Sequence, residues 1–124
     1  MLDRLGEVEE IFKLLRQRWG EMVLAGDTTT WETFSEWNGP VWPTRSRCHP
    51  FAAYALRYLV RYLLGIESLA PGHAKFRVDP RPPEGMGRCS GSIPTPRGLI
   101  RAGWERRGGK LEVSVEASAG LERV

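Results

Sequence analysis

The sequence predicts an α+β protein in which two helices precede a small antiparallel sheet. Apolar residues recur at intervals of three and four near the N-terminus, which is the periodicity of a helix with one buried face. A second apolar run begins at Pro50. Beyond residue 69, proline and glycine separate segments in which polar and apolar residues alternate, as expected of short strands joined by turns.

The first helix is predicted from about Asp3 to Val23, and it should bury a single stripe because polar residues occupy the rest of its surface. The stripe consists of Leu5, Val8, Phe12, Leu15, Trp19 and Met22. Gly26 and Asp27 interrupt the pattern. From there to Arg47 we predict a long loop, rich in tryptophan.

The second helix is predicted from Pro50 to about Leu64. Proline suits the first turn because its φ is already helical and its missing N–H would have no partner there. Gly65 is expected to end the helix. Only the edge that carries Arg57 and Arg61 is polar, so this helix should pack on two sides within a larger helical assembly.

Four strands are predicted in the C-terminal half: Lys75–Asp79, Gly87–Ile93, Leu99–Glu105 and Leu111–Ala117. Residues 107–110 are predicted to form the hairpin turn before the last of them. We place the domain division between residues 1–66 and 67–124. Few residues follow Gly120, so one sheet edge should remain unpaired and the sheet domain is expected to be incomplete.

Composition is that of one small globular domain or of parts of two. The 124 residues are 41% hydrophobic and 27% charged. Residues 1–40 carry 4 basic and 8 acidic side chains, against 14 and 7 in residues 41–124. The basic residues are dispersed, so no nucleic-acid partner is predicted. Without a signal peptide or a long apolar segment, we expect a cytoplasmic protein and no membrane partner.

No metal and no cofactor is predicted. Cys48 and Cys89 lie far apart outside any CxxC motif, and we expect both to be buried free thiols. The sequence has neither a GxGxxG motif nor a P-loop, and it lacks the GxSxG turn of a serine nucleophile. These observations exclude the commonest nucleotide-binding and serine hydrolase designs.

The loop after the first helix contains a tryptophan followed by a carboxylate, Trp31 and Glu32. An indole face can stack on the C–H face of a sugar ring, so this pair suits a carbohydrate site. The structural interpretation places Trp31 in the core and Glu32 at the surface, where it is either solvated or paired with an arginine. Both interpretations are open at the level of sequence.

His49 immediately precedes Pro50, so it is predicted to cap the second helix. A neutral imidazole at that position can donate a hydrogen bond to a ligand hydroxyl or accept one from it. The alternative is a capping or packing role without a ligand. Arg45 and Arg47 flank the histidine, and they can pair with acidic residues of the loop such as Glu36.

Several motifs taken together resemble a known family. They are Trp19-x2-Met22, Gly26-Asp27-Thr28-Thr29-Thr30-Trp31-Glu32, Ser46-Arg47-Cys48-His49-Pro50 and Leu59-x-Arg61-Tyr62-Leu63-Leu64-Gly65-Ile66. Leu69-Ala70-Pro71-Gly72 and Pro94-Thr95-Pro96-Arg97-Gly98 extend the match over nearly the whole chain. The combination resembles the C-terminal end of bacterial α-L-rhamnosidases of glycoside hydrolase family 78.

The resemblance implies that the helices are the last ones of an (α/α)6 barrel and that the strands form part of a β-sandwich. It implies an inverting hydrolase of terminal α-L-rhamnosyl linkages in which Glu32 is the general base. By the same resemblance, His49, Trp31 and Trp37 are substrate-binding residues. The implied partner is a rhamnose-containing carbohydrate or glycoside.

The general acid of that family lies upstream of the segments present here, and nothing in the sequence assigns that role to Asp27 or Glu36. The chain is therefore expected to be a fragment that lacks the N-terminal barrel segment and is inactive alone. Its uncovered apolar helix surface is expected to drive self-association. The alternative, from another functional class, is a non-catalytic carbohydrate-binding or protein-interaction module.

Overall fold

The computed structural model describes residues 7–34 and 45–124. The chain divides into two compact units, Met1–Arg57 and Tyr58–Val124. The helices are α1 (Val8–Leu24), a 3-10 helix (Pro50–Tyr54), α2 (Ala55–Tyr58), a π-helix (Leu59–Leu63) and a second 3-10 helix (Pro71–His73). The strands are β1 (Ile66–Ser68), β2 (Lys75–Val78), β3 (Arg88–Thr95), β4 (Gly98–Arg107), β5 (Lys110–Ala117) and β6 (Glu122–Arg123). The predicted α+β class is confirmed.

Helix α1 confirms most of the predicted buried stripe. Its buried residues are Ile11, Phe12, Leu15 and Met22, of which the first was absent from the prediction. Trp19 is half-buried, and its indole N–H donates to the carbonyl of Ala52 at 2.8 Å. The predicted turn before residue 7, with Leu5, lies outside the described residues.

The C-terminal end of α1 is closed by a Schellman motif. Gly26 donates its N–H to Val23 at 3.0 Å, and Asp27 donates to Met22 at 3.1 Å. The φ of Gly26 is +73°, a left-handed conformation that favours glycine. The motif attaches the backbone of Asp27 to the last turn of the helix.

The second helical segment differs in type from the prediction. We predicted one α-helix over Pro50 to Leu64, and the structure instead passes from a 3-10 helix through one α turn to a π-helix. The last carbonyls have partners remote in sequence, because Tyr62 accepts the N–H of Arg81 and Leu63 accepts the indole N–H of Trp104. Spacing along the chain holds no information about such partners.

The strands form two three-stranded sheets in the second unit. In the first, β1 pairs antiparallel with β2, and β2 pairs parallel with β6. In the second, β3, β4 and β5 form an antiparallel meander whose predicted hairpin turn is confirmed by the pairing of Arg107 with Lys110. All four predicted strands are present. Strands β1 and β6 were missed because two or three residues are too few to show alternation.

The core of the second unit contains residues from both sheets. Phe76 from β2 and Ile100 from β4 are completely buried. The other buried members are Leu64, Ile66 and Ala102. The two sheets therefore share one apolar core.

The prediction that both cysteines are buried is wrong. Both thiols are free, but Cys48 is exposed in the segment before the 3-10 helix, and Cys89 on β3 is only half-buried. The side chain of Cys89 packs against the apolar core of the second unit, and this partial burial raises the pKa of its thiol. Neither position could be placed from the spacing of the cysteines.

One carboxylate joins the helical segment to the first sheet. Glu67 on β1 accepts hydrogen bonds from Arg61 at 2.5 Å and from the Nε of Arg77 at 2.9 Å. The hydrogen bond from Arg61, followed by that from Arg77, lowers the pKa of Glu67 below its usual value. Ionised Glu67 therefore stabilises the folded state.

We expect Glu67→Gln to lower Tm at neutral pH and to flatten the fall of Tm in acid. A carboxylate with a lowered folded pKa contributes stability that is complete above its unfolded pKa and is lost as the pH falls through the folded one. Thermal unfolding between neutral pH and about pH 3 measures this. The control Glu112→Gln removes a single exposed contact to Arg107 at 3.6 Å and should change little. If Tm fell by the same amount with pH in the wild type and in Glu67→Gln, the prediction would be wrong.

Candidate functional site

Two loop segments that are distant in sequence are hydrogen-bonded to each other in the first unit. Glu32 donates its N–H to the carbonyl of Ser46 at 2.9 Å, and His49 donates its N–H to the carbonyl of Thr30 at 2.8 Å. The hydroxyl of Thr30 returns a hydrogen bond to the carbonyl of His49 at 2.7 Å, and Thr29 donates to the carbonyl of Arg47. The threonine run thus joins the segment that bears Glu32 to the segment that bears His49.

Glu32 is half-buried, and its carboxylate has no hydrogen-bond or ion-pair partner within residues 7–34 and 45–124. The predicted alternative, a pair between Glu32 and an arginine, is not seen there. Arg47 pairs with Asp27 instead, at 3.5 Å. The backbone of Glu32 is therefore held while its carboxylate is available for another group.

Trp31 is packed inside the first unit with only 3% of its surface exposed. Its indole N–H donates to the Oδ2 of Asp27 at 2.5 Å. This burial favours the structural interpretation of Trp31, because a covered ring has no free face on which a sugar can stack. Its predicted place in the substrate pocket stays a prediction.

His49 caps the 3-10 helix, as predicted. Its Nδ1 accepts the N–H of Phe51 at 3.3 Å, so Nδ1 carries no proton in this arrangement and the proton of the neutral ring is on Nε2. The Nε2 has no partner among the described residues. His49 can therefore donate a hydrogen bond to a ligand from Nε2.

Comparison with known proteins finds alpha-L-rhamnosidases. Residues 65–121 match the family model described as the bacterial alpha-L-rhamnosidase C-terminal domain. An alpha-L-rhamnosidase of Formosa agariphila is 35% identical over 91 residues, which are 71% of this chain and 10% of that protein. One of Alteromonas sp. (strain LOR) is 27% identical over 123 residues, covering 93% of this chain and 13% of the relative.

A solved structure extends the likeness to three dimensions. The crystal structure of the family 78 rhamnosidase of Bacillus sp. GL1 superposes on this chain with a TM-score of 0.86 at 28% identity. The chain is a C-terminal segment of a family 78 rhamnosidase. The match covers 98% of this chain and 13% of the Bacillus protein, so the chain spans about an eighth of that relative.

One residue of this rhamnosidase segment was given no role by sequence reasoning. Asp27 was considered only as a general acid, yet its carboxylate bonds both Trp31 and Arg47. Its spacing of four residues from Trp31 was the only available signal. The predicted Trp37 and the neighbouring Glu36 lie outside the described residues.

The described part of the rhamnosidase segment lacks two further features. Residues 7–34 and 45–124 contain no group of three His, Cys, Asp or Glu side chains arranged to bind a metal ion. Across the same residues, no helix combines the length and the apolar composition needed to cross a membrane.

Proposed function

We propose that this chain supplies the general base of an inverting α-L-rhamnosidase. Glu32 is the base, and the general acid comes from a part of the protein outside these 124 residues. The observation that carries the proposal is the hydrogen-bonded pairing of the two loop segments. It holds the backbones of Glu32 and His49, while the Glu32 carboxylate has no partner among the residues that the structure describes. The substrate is a terminal α-L-rhamnosyl linkage.

In this chemistry, Glu32 removes a proton from the water that attacks the anomeric carbon. The acid protonates the leaving oxygen on the opposite face, and the two carboxyl groups of such a pair stand about 6.5–9.5 Å apart. The Nε2 proton of His49 is directed to a sugar hydroxyl. By the family resemblance, Trp37 is a further proposed substrate-binding residue. The names of the relatives support rhamnose as the sugar.

We also propose that residues 1–66 are the last helices of an (α/α)6 barrel and residues 67–124 a β-sandwich domain. Large apolar side chains of the helical part are exposed, including Leu24 at 91% and Phe51 at 76%. Uncovered apolar surface of this kind needs a protein partner. The much greater length of the relatives supports upstream barrel helices as that partner.

The isolated chain is expected to self-associate through these apolar side chains. Static light scattering over a range of concentrations measures its mass in solution. The apparent mass should rise with concentration, because association removes Leu24 and Phe51 from water. A monomer at every concentration would count against an uncovered barrel surface.

The functional test is a chimera in which this chain replaces the matched C-terminal segment of the Bacillus sp. GL1 rhamnosidase. The chimera is expected to hydrolyse an aryl α-L-rhamnoside, whereas the isolated chain is expected to be inactive. A chimera that folds, as shown by a cooperative thermal transition, but does not hydrolyse the substrate would contradict the proposal.

A separate experiment tests the alternative function, a non-catalytic carbohydrate-binding module. Titration of the isolated chain with L-rhamnose, followed by tryptophan fluorescence, should show no saturable change if the site is incomplete. The burial of Trp31 counts against the alternative, because a binding module needs an accessible aromatic face. Saturable binding by the isolated chain would favour the module.

A further inference from the structure

We propose that Asp27 is a positioning residue that holds Glu32 in its working geometry. The proposal rests on the proposed role of Glu32 as general base. We do not propose a contact between Asp27 and the substrate. It acts through the two residues that its carboxylate binds, Trp31 and Arg47.

The first step is the attachment of Asp27 to a rigid element. Its N–H donates to the carbonyl of Met22, a buried residue in the last turn of α1. Gly26 completes the Schellman motif that directs the chain out of the helix at this point. The position of Asp27 is therefore set by α1, whereas residues 28–34 have no helix or strand to hold them.

The second step is that both carboxylate oxygens of Asp27 have a partner. Oδ2 accepts the indole N–H of Trp31 at 2.5 Å, and Oδ1 lies 3.5 Å from the guanidinium of Arg47. Only 16% of the Asp27 side chain is exposed. A carboxylate this covered is costly unless it has such partners, so the three side chains form one interdependent unit.

The third step links this unit to Glu32 on two sides. Trp31 precedes Glu32 in the chain, and Arg47 follows Ser46, whose carbonyl accepts the N–H of Glu32. Asp27 thus holds one neighbour of Glu32 along the chain and, through Arg47, the segment that bonds Glu32 across the loop. A general base displaced by about 1 Å can lose two orders of magnitude in rate, so this support matters to catalysis.

Hydrogen exchange on the 124-residue chain tests the structural half of the proposal. In Asp27→Ala, peptides that cover residues 28–34 and 45–50 should exchange faster than in wild type, while peptides from the middle of α1 should not. Asp27→Asn should have a smaller effect, because the amide oxygen still accepts from Trp31 while the ion pair to Arg47 is lost. The matched control is Asp79→Asn, which removes an Asp–Arg pair at 2.9 Å in the other unit.

Kinetics of the chimera test the catalytic half. Asp27→Ala should lower kcat by about 10- to 100-fold with little change in KM, with Asp27→Asn in between and Asp79→Asn unchanged. The pH–rate profile of Asp27→Ala should keep the limb due to the general base, since Glu32 is still present. A residue with a merely structural role would lower the amount of folded enzyme and leave kcat per folded molecule unchanged.

The outcomes separate this proposal from the proposed function. Unchanged exchange in Asp27→Ala, or an unchanged kcat, overturns the positioning role even when Glu32→Gln is inactive. A folded parent chimera without activity, or an active Glu32→Gln variant, overturns the proposed function and this proposal with it.

Discussion

Glu32→Gln in the chimera is expected to lower kcat for an aryl α-L-rhamnoside by about 10²- to 10⁴-fold, the usual contribution of a general base. The amide has nearly the shape of the carboxylate but cannot take a proton from the attacking water. The Glu32 carboxylate has no partner in the described part of the chain, so its replacement should break no contact there. KM should change little, because the lost interaction belongs to the transition state.

The control for this prediction is Glu10→Gln, which makes the same chemical change on the exposed surface of α1. Glu10 has a single exposed contact, to Lys13 at 3.5 Å, and its replacement should leave kcat unchanged. Thermal unfolding of both variants checks that the fold is retained. Full activity of Glu32→Gln would assign the general base to another residue.

Gly65→Ala is expected to destabilise the 124-residue chain by about 2–5 kcal/mol. The φ of Gly65 is +77°, which costs a residue with a Cβ about 1–2 kcal/mol. The added Cβ would also lie 2.2 Å from the backbone N of Pro80 and 2.4 Å from the carbonyl carbon of Asp79. These are main-chain atoms that cannot rotate away, so the junction between the π-helix and β1 must shift.

Denaturant unfolding of Gly65→Ala measures this loss, with Gly20→Ala as the matched control. Gly20 lies inside α1, and an added Cβ there would meet nothing within 4 Å. Alanine should therefore raise the free energy of unfolding by about 0.5–1 kcal/mol, the difference in helix propensity. Equal effects at the two glycines would show that the close approach of Gly65 to Pro80 does not occur in solution.

Much of the fold could be predicted from residues that are neighbours along the chain. The alternation in β5 and the glycines of its hairpin predict the strand and the turn. Pro50 and Gly65 predict where the second helical segment begins and ends. These features depend on φ preferences and on periodicity, both of which are local properties.

The sequence could identify several residues of the candidate site, but not the contacts between them. The threonine run, Glu32 and His49 are recognisable as motifs, and the capping role of His49 follows from Pro50. The sequence left open whether Trp31 is buried and gave no role to Asp27, because both depend on how the end of α1 meets the segment at Arg47. Those contacts join residues separated by up to about twenty positions.

Sequence patterns alone therefore account for the α+β class, the four longer strands, the caps and the family resemblance of this chain. Contacts between remote segments account for the change from 3-10 to π geometry before Gly65, the pairing of the end of the chain with β2, and the three-residue unit around Asp27. The physical reason is that a backbone carbonyl or a buried carboxylate takes whichever donor the folded chain brings to it.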